Sequence, residues 1–126
     1  MLHAVDIDDF GSENLIKCQT EDSSLDEVRK LADKEEVKSS GKLNNFKYFR
    51  QNGILFREYR SQKYNNRRGM KQIVLPKKYR QSVLKKVCHT HLDGGHLGMQ
   101  KTMDKILSQF HWPGIIADIK RYCAHW

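Results

Sequence analysis

Asn52-Gly53 separates two runs in which apolar side chains recur at every second position, Phe46 and Tyr48 before it, Ile54 and Phe56 after it. Asn-Gly supplies the two consecutive left-handed residues of a tight type I′ turn, so the pattern predicts a β-hairpin. Tyr59 extends its second strand. Ser61 to Gly69, with Asn65, Asn66, Arg67 and Arg68, reads as a polar, basic loop. Lys71 to Leu75 is a third strand, stopped by Pro76. Three strands of this length need further packing to be stable.

On either side the period becomes helical. Ser24 and Glu27 have capping-box spacing, and Leu25, Val28, Leu31 and Ala32 make one apolar face that fades at Ser39-Ser40-Gly41. Residues 1–20 show no clear period and read as mostly unordered, with at most a short helical turn at Leu15–Ile16. Beyond Pro76, Tyr79, Val83, Leu84 and Val87 line a second helix until Gly94-Gly95 breaks it. A third runs from about Leu97 to Phe110 with Met99, Met103 and Ile106 inward. After the compact turn Trp112-Pro113-Gly114, a last helix carries Ile115, Ile116, Ile119 and Tyr122. The fold class is therefore α+β. An acidic, mostly unordered leader (1–21) precedes a helix-plus-three-strand unit (22–75) and a small three-helix bundle with a helix-turn-helix corner (76–126).

The formal net charge of +8 conceals an asymmetry. Residues 1–40 hold 11 acidic and 5 basic side chains, whereas residues 41–126 hold 18 basic and 4 acidic. So large a positive excess on a small unit suits a polyanion, because each phosphate neutralised releases counterions; a solubilising charged surface is the competing account. No apolar stretch is long enough for a membrane span, and no signal-peptide pattern opens the chain. Three cysteines are too few and too scattered for a disulfide framework, which makes a reduced, intracellular protein the expectation.

Cys88, His89, His91 and His96 fall within nine positions between two amphipathic helices, and Cys123 and His125 sit near the end of the last one. Imidazole and thiolate are favoured zinc ligands, and a helical unit this small often needs a metal to hold it. Isolated loop histidines are ordinarily polar surface residues; the clustering favours zinc. Cys88 continues an apolar helix face and reads as a buried structural cysteine rather than a nucleophile. The four carboxylates of the basic part, Glu58, Asp93, Asp104 and Asp118, are spread singly, and Gly94-Gly95 lacks the strand and lysine of a phosphate loop. Neither catalysis nor a small-molecule substrate is expected.

His89, the six-residue spacer, Gly95-His96-Leu97-Gly98, Lys101-Thr102, Phe110, Trp112-Pro113-Gly114, Asp118-Ile119 and Tyr122 stand in an order that resembles the zinc-binding (HHCC) N-terminal domain of integrases from retroviruses and Ty3/gypsy-type LTR retrotransposons. Upstream, Asn52 to Arg57 and Ile73 to Arg80 resemble the segment that precedes this domain in transposon polyproteins. The resemblance implies zinc, with His89 and His96 as ligands and His91 as the competing choice. The family's Cys-x-x-Cys follows the last helix and would begin at or just after Trp126, which leaves Cys123 and His125 as possible substitutes. It also implies DNA contact, self-association through the helices and work in the nucleus, otherwise the cytoplasm. The integrase catalytic core, with its three acidic residues, is expected to be absent from this chain. Phosphate contacts would then come from Lys77, Lys78, Arg80, Lys85, Lys86, Lys101, Lys105, Lys120 and Arg121, with Arg67 and Arg68 in the loop. A domesticated protein-interaction domain, burying Met99, Met103, Ile106, Ile115 and Ile116 against a partner, is the alternative, as is a non-functional integrase remnant.

Overall fold

The computed structural model describes residues 10–34, 37–39, 44–61, 70–92 and 98–123. In chain order these form α1 (Ser12–Glu21), a 3-10 turn (Ser23–Leu25), α2 (Asp26–Lys34), β1 (Lys38–Ser39), β2 (Asn44–Gln51), β3 (Ile54–Ser61), β4 (Met70–Val74), α3 (Lys77–Leu92), α4 (Gly98–Leu107), β5 (Phe110–His111) and α5 (Ile115–Cys123). The strands make one mixed sheet in sequence order, antiparallel except for the parallel pair β4–β5. The α+β class holds. The loop expected at Ser61 to Gly69, Arg67 and Arg68 included, lies largely outside the described residues.

The hairpin forms where Asn52-Gly53 placed it, with φ of 54° and 81° at the two turn residues. Its register pairs Phe46 with Tyr59, Tyr48 with Arg57 and Phe49 with Phe56. Directly opposed residues of an antiparallel pair share a face. Tyr48, Leu55 and Val74 therefore lie on one side, under Leu25, Val28 and Ala32 of the 3-10 turn and α2. Ile54 and Phe56 lie on the other, under Leu15 of α1. The two alternating series thus bury opposite faces of the sheet.

Residues 12–21 correct the expectation of an unordered stretch. They form α1, with Leu15 and Gln19 buried. Gln19 replaces the missing hydrophobic residue one turn after Leu15: its Nε2 donates to the carbonyls of Leu55 (3.1 Å) and Val74 (2.7 Å), and its Oε1 accepts from the Leu55 amide (2.9 Å). The cap of the next helical segment also differs from expectation. Asp22, rather than Ser24, accepts the Ser24 amide at 2.9 Å.

In the C-terminal part, α3, α4 and α5 share a core of Val83, Leu84, Val87, Cys88, Ile106, Phe110, Trp112, Ile115, Ile119 and Cys123. Helix α4 stops at Leu107, so Phe110 enters this core from a strand and not from the helix that the spacing predicted. The Ile73 amide donates to the Gln109 carbonyl (2.8 Å) and the Leu75 amide to that of His111 (2.9 Å). Sheet pairing gives residues 109–111 backbone partners that a continued helix would have forgone. Ile116, expected inward, is 48% exposed. The turn before α5 uses Gly114 at φ 82°, and Trp112 Nε1 donates across it to Asp118 Oδ2 at 2.8 Å.

Candidate metal centre and nucleic-acid interface

Helix α3 runs to Leu92, so His89 and His91 lie in its last turns and not in the loop that the sequence suggested. The first strong helix breaker after Pro76 is Gly94-Gly95, and Val83, Leu84, Val87 and Cys88 keep one buried side continuous up to that end. His96 and His125 lie outside the described residues. Cys123, the last residue of α5, is buried, and its Sγ is 3.6 Å from that of Cys88. Burial and the neighbouring Cys123 thiol push the Cys88 thiol up to about 12, so without metal it stays protonated at neutral pH.

Among the described residues no three His, Cys, Asp or Glu side chains come together as a metal site. What the described part contributes is the thiol pair alone, set in the apolar core of the three helices. Thiols suit zinc, which takes sulfur and imidazole ligands, but two donors do not make a site. Bound zinc would supply a cross-link between helices. No chemical step is assigned to it.

His111 is the residue that sequence reasoning passed over. It stands apart from the Cys/His cluster, between Phe110 and Trp112, and β5 carries it onto the sheet beside Tyr48 and Arg57. Its Nε2 is 3.0 Å from the Tyr48 hydroxyl and its Nδ1 is 3.3 Å from Arg57 Nη1. A guanidinium can only donate, so Nδ1 is the acceptor and the ring proton sits on Nε2, facing Tyr48. Burial, reinforced by the charges of Arg57 and Arg80, pushes the imidazole down to about 3. With both ring nitrogens engaged, neutral His111 is a structural tie between β5 and the hairpin.

The basic candidates divide by environment. Lys77, Lys78, Lys85 and Lys86 are exposed on α3, whose sequence contains no acidic residue. On α4, Lys101 is exposed and Lys105 half-buried; Lys120 and Arg121 are exposed on α5, where Arg121 lies 3.3 Å from Asp118. Arg80 differs. Its side chain is 12% exposed, donates to the Leu75 carbonyl and the Ser24 hydroxyl (both 3.0 Å), and lies over the Trp112 ring. Its guanidinium is turned inward, where a phosphate cannot easily reach it. No helix of the described residues is long and apolar enough to cross a membrane.

Neither the curated proteins nor the solved structures give a match to this chain. A family model does match: residues 75–125, from the end of β4 through α5, fit the integrase zinc binding domain. The fitted stretch carries the Cys/His cluster, the buried Trp112 turn and the lysine-rich surface of α3, and over these residues the chain is similar to the integrase zinc-binding domain.

Proposed function

We propose that the chain serves as a non-catalytic module of a Ty3/gypsy-type, retrotransposon-derived integrase, contacting DNA and self-associating through a helical zinc unit of helix-turn-helix type. Zinc held by His89 and His96, with His91, Cys123 and His125 as further donors, would fix the ends of α3 and α5. The nucleus is the corresponding place of action. The observation that carries the reading is the outer side of α3: Lys77 and Lys85, and Lys78 and Lys86, stand about two turns apart, and the exposed residues between them are the uncharged Gln81 and Ser82. Exposed lysines repeated along one helix whose sequence holds no acidic residue suit the spaced charges of a phosphate backbone. Contacts of this kind position the protein without reading bases.

The protein-interaction alternative needs its apolar residues free. Ile106 and Ile115 are buried in the chain's own core and Met103 is half-buried against it, which leaves Ile116 as the exposed member among those whose burial is described. A single exposed isoleucine is ordinary surface. Binding to a random-sequence duplex, followed by fluorescence anisotropy across a salt series, decides between the readings. A log–log slope corresponding to several released counterions supports the DNA module. Salt-insensitive self-association with no DNA binding overturns it in favour of the interaction domain.

A further inference from the structure

The strand register sets Phe46, Tyr59 and Met70 in a row across β2, β3 and β4, on the side of the sheet that also carries Tyr48 and Arg57. All three are half-buried. Phe46 packs at the edge of the cluster under α2, whereas Tyr59 and Met70 join none of the apolar clusters of the described residues. The Arg57 guanidinium lies over the Phe46 and Tyr59 rings, 4.6 Å and 5.0 Å from their centroids. It differs from the other arginines that the structure describes. Arg29, Arg50, Arg60, Arg80 and Arg121 each pair with a carboxylate. Arg57 pairs with none among the described residues. Its Nη1 meets Gln72 Oε1 (3.2 Å) and His111 Nδ1 (3.3 Å), both uncharged, and its buried Nε has no hydrogen-bond partner. A half-buried cation held among neutral groups is costly, and an anion from outside relieves that cost. The rings beside it offer flat faces on which a planar heterocycle stacks. A phosphate next to an aromatic base is the repeat of a nucleic-acid strand. Bases inside a duplex are stacked on one another, so a base free to stack on protein is an unpaired one.

We infer that the sheet face formed by Phe46, Arg57 and Tyr59 binds an unpaired nucleotide of a single-stranded nucleic acid, with its base stacked on the aromatic side chains and its phosphate on Arg57. The site is separate from the α3 lysines assigned to duplex DNA, and the inference goes beyond that reading. The basic excess of residues 41–126 draws any polyanion; the paired rings are what favour a base-bearing strand over an acidic peptide.

Fluorescence anisotropy of the 126-residue chain with labelled oligo(dT) of about eight nucleotides, within the span of one single-strand module, tests this. An abasic oligomer of the same length keeps the phosphates without the bases, and an oligoglutamate keeps charge without either. The wild type is expected to bind oligo(dT) at least about fivefold more tightly than both, the smallest effect of one stacked base. Tyr59→Leu removes a ring from outside the apolar clusters. It should weaken oligo(dT) binding by about five- to a hundredfold and leave duplex binding unchanged, and Tyr59→Phe should bind as the wild type does. Arg57→Gln should lower the log–log salt slope of oligo(dT) binding by about 0.7. Replacing Lys78 and Lys85 by glutamine should weaken duplex binding and spare the preference for oligo(dT) over the abasic oligomer. Equal affinity for those two oligomers overturns the inference and leaves the duplex reading standing, as does a Tyr59→Leu chain that binds oligo(dT) like the wild type. Oligoglutamate bound as tightly as oligo(dT) also overturns it, and gives the face to an acidic protein segment. A wild-type chain that binds neither single strand nor duplex overturns this inference and the DNA reading together. Because the wild-type comparison of oligomers is read first, a variant that fails to fold does not hide the answer.

Discussion

The backbone amide of Lys77 donates to Asp22 Oδ2 at 2.6 Å, so the start of α3 is capped by a carboxylate from 55 residues earlier. The other oxygen of the same carboxylate accepts the Ser24 amide (2.9 Å) and hydroxyl (2.7 Å), and Arg80 lies 3.9 Å away. One side chain therefore closes two helical segments and joins the N-terminal part to the segment that matches the integrase domain. Asp22→Ala removes both caps, at about 1 kcal/mol each, and should lower the unfolding free energy by roughly 2 kcal/mol. Asp22→Asn keeps one acceptor oxygen and should lose less. Urea unfolding followed by circular dichroism measures both. Burial raises the Asp22 pKa, but the hydrogen bonds from Lys77 and Ser24 and the charge of Arg80 outweigh it, and the net position is below the ordinary 3.8. The folded state therefore favours the charged carboxylate. Its contribution is complete above the ordinary pKa and is lost as pH falls through the lower folded value. That part of the acid limb should vanish in Asp22→Asn.

Gln19 offers a sharper chemical test. It both donates and accepts at the sheet, meeting the Leu55 amide, the Leu55 carbonyl and the Val74 carbonyl. Gln19→Ala strands these groups in a buried site and should cost about 2–4 kcal/mol. Gln19→Glu, nearly isosteric, should be worse at neutral pH, because a carboxylate cannot donate to the two carbonyls and brings an unpaired charge into the interior. Hydrogen exchange at the Leu55 amide should accelerate in both variants. A Gln19→Glu protein as stable as wild type would show that the amide is not the anchor of α1.

The same residue explains what could be read from sequence and what could not. The hairpin was legible because Asn52-Gly53 and its alternating neighbours encode turn and faces locally. Helix α1 was not, because one of its two buried contacts is an amide, which a search for apolar period discards. Phe110 misled for another reason: its spacing from Ile106 fits a helix, and only the partner strand β4 reveals that residues 110–111 are extended. In the candidate site, the crowding of Cys and His was visible, as was the basic excess. The meeting of Cys88 with Cys123 was not, since it depends on how two helices end against each other. The inward turn of Arg80 was hidden likewise, because its partners Ser24 and Asp22 lie more than fifty positions away.

His111 should give the protein an acid limb distinct from that of Asp22. Its folded pKa is near 3, against 6.5 for the unperturbed group. Below the unperturbed value the unfolded chain takes up a proton that the folded one refuses. Stability is therefore complete above about pH 6.5 and should decline as pH falls from there toward about 3, by up to about 1.4 kcal/mol per pH unit. His111→Phe gives up the contact with Tyr48, costing about 1 kcal/mol at pH 7.5, but removes the titration. Urea midpoints measured from pH 7.5 to pH 4 should fall less steeply for His111→Phe than for wild type. Parallel curves would place the imidazole in water rather than between Tyr48 and Arg57.

The basic surface makes a prediction that separates binding residues from folding residues of the same charge. Lys78, Lys85 and Lys101 are exposed, so replacing them by glutamine should leave thermal stability nearly unchanged. If they contact DNA phosphates, the log–log salt slope of duplex binding should fall by about 0.9 for each lysine removed. Arg80→Gln should do the reverse. Its guanidinium holds the Leu75 carbonyl and Ser24 and lies over Trp112, so its loss should lower the melting temperature while the salt slope of the protein that remains folded stays at the wild-type value. A slope that drops with Arg80→Gln and not with the lysine variants would move the DNA contact from the outer side of α3 to the seam between α3 and Asp22.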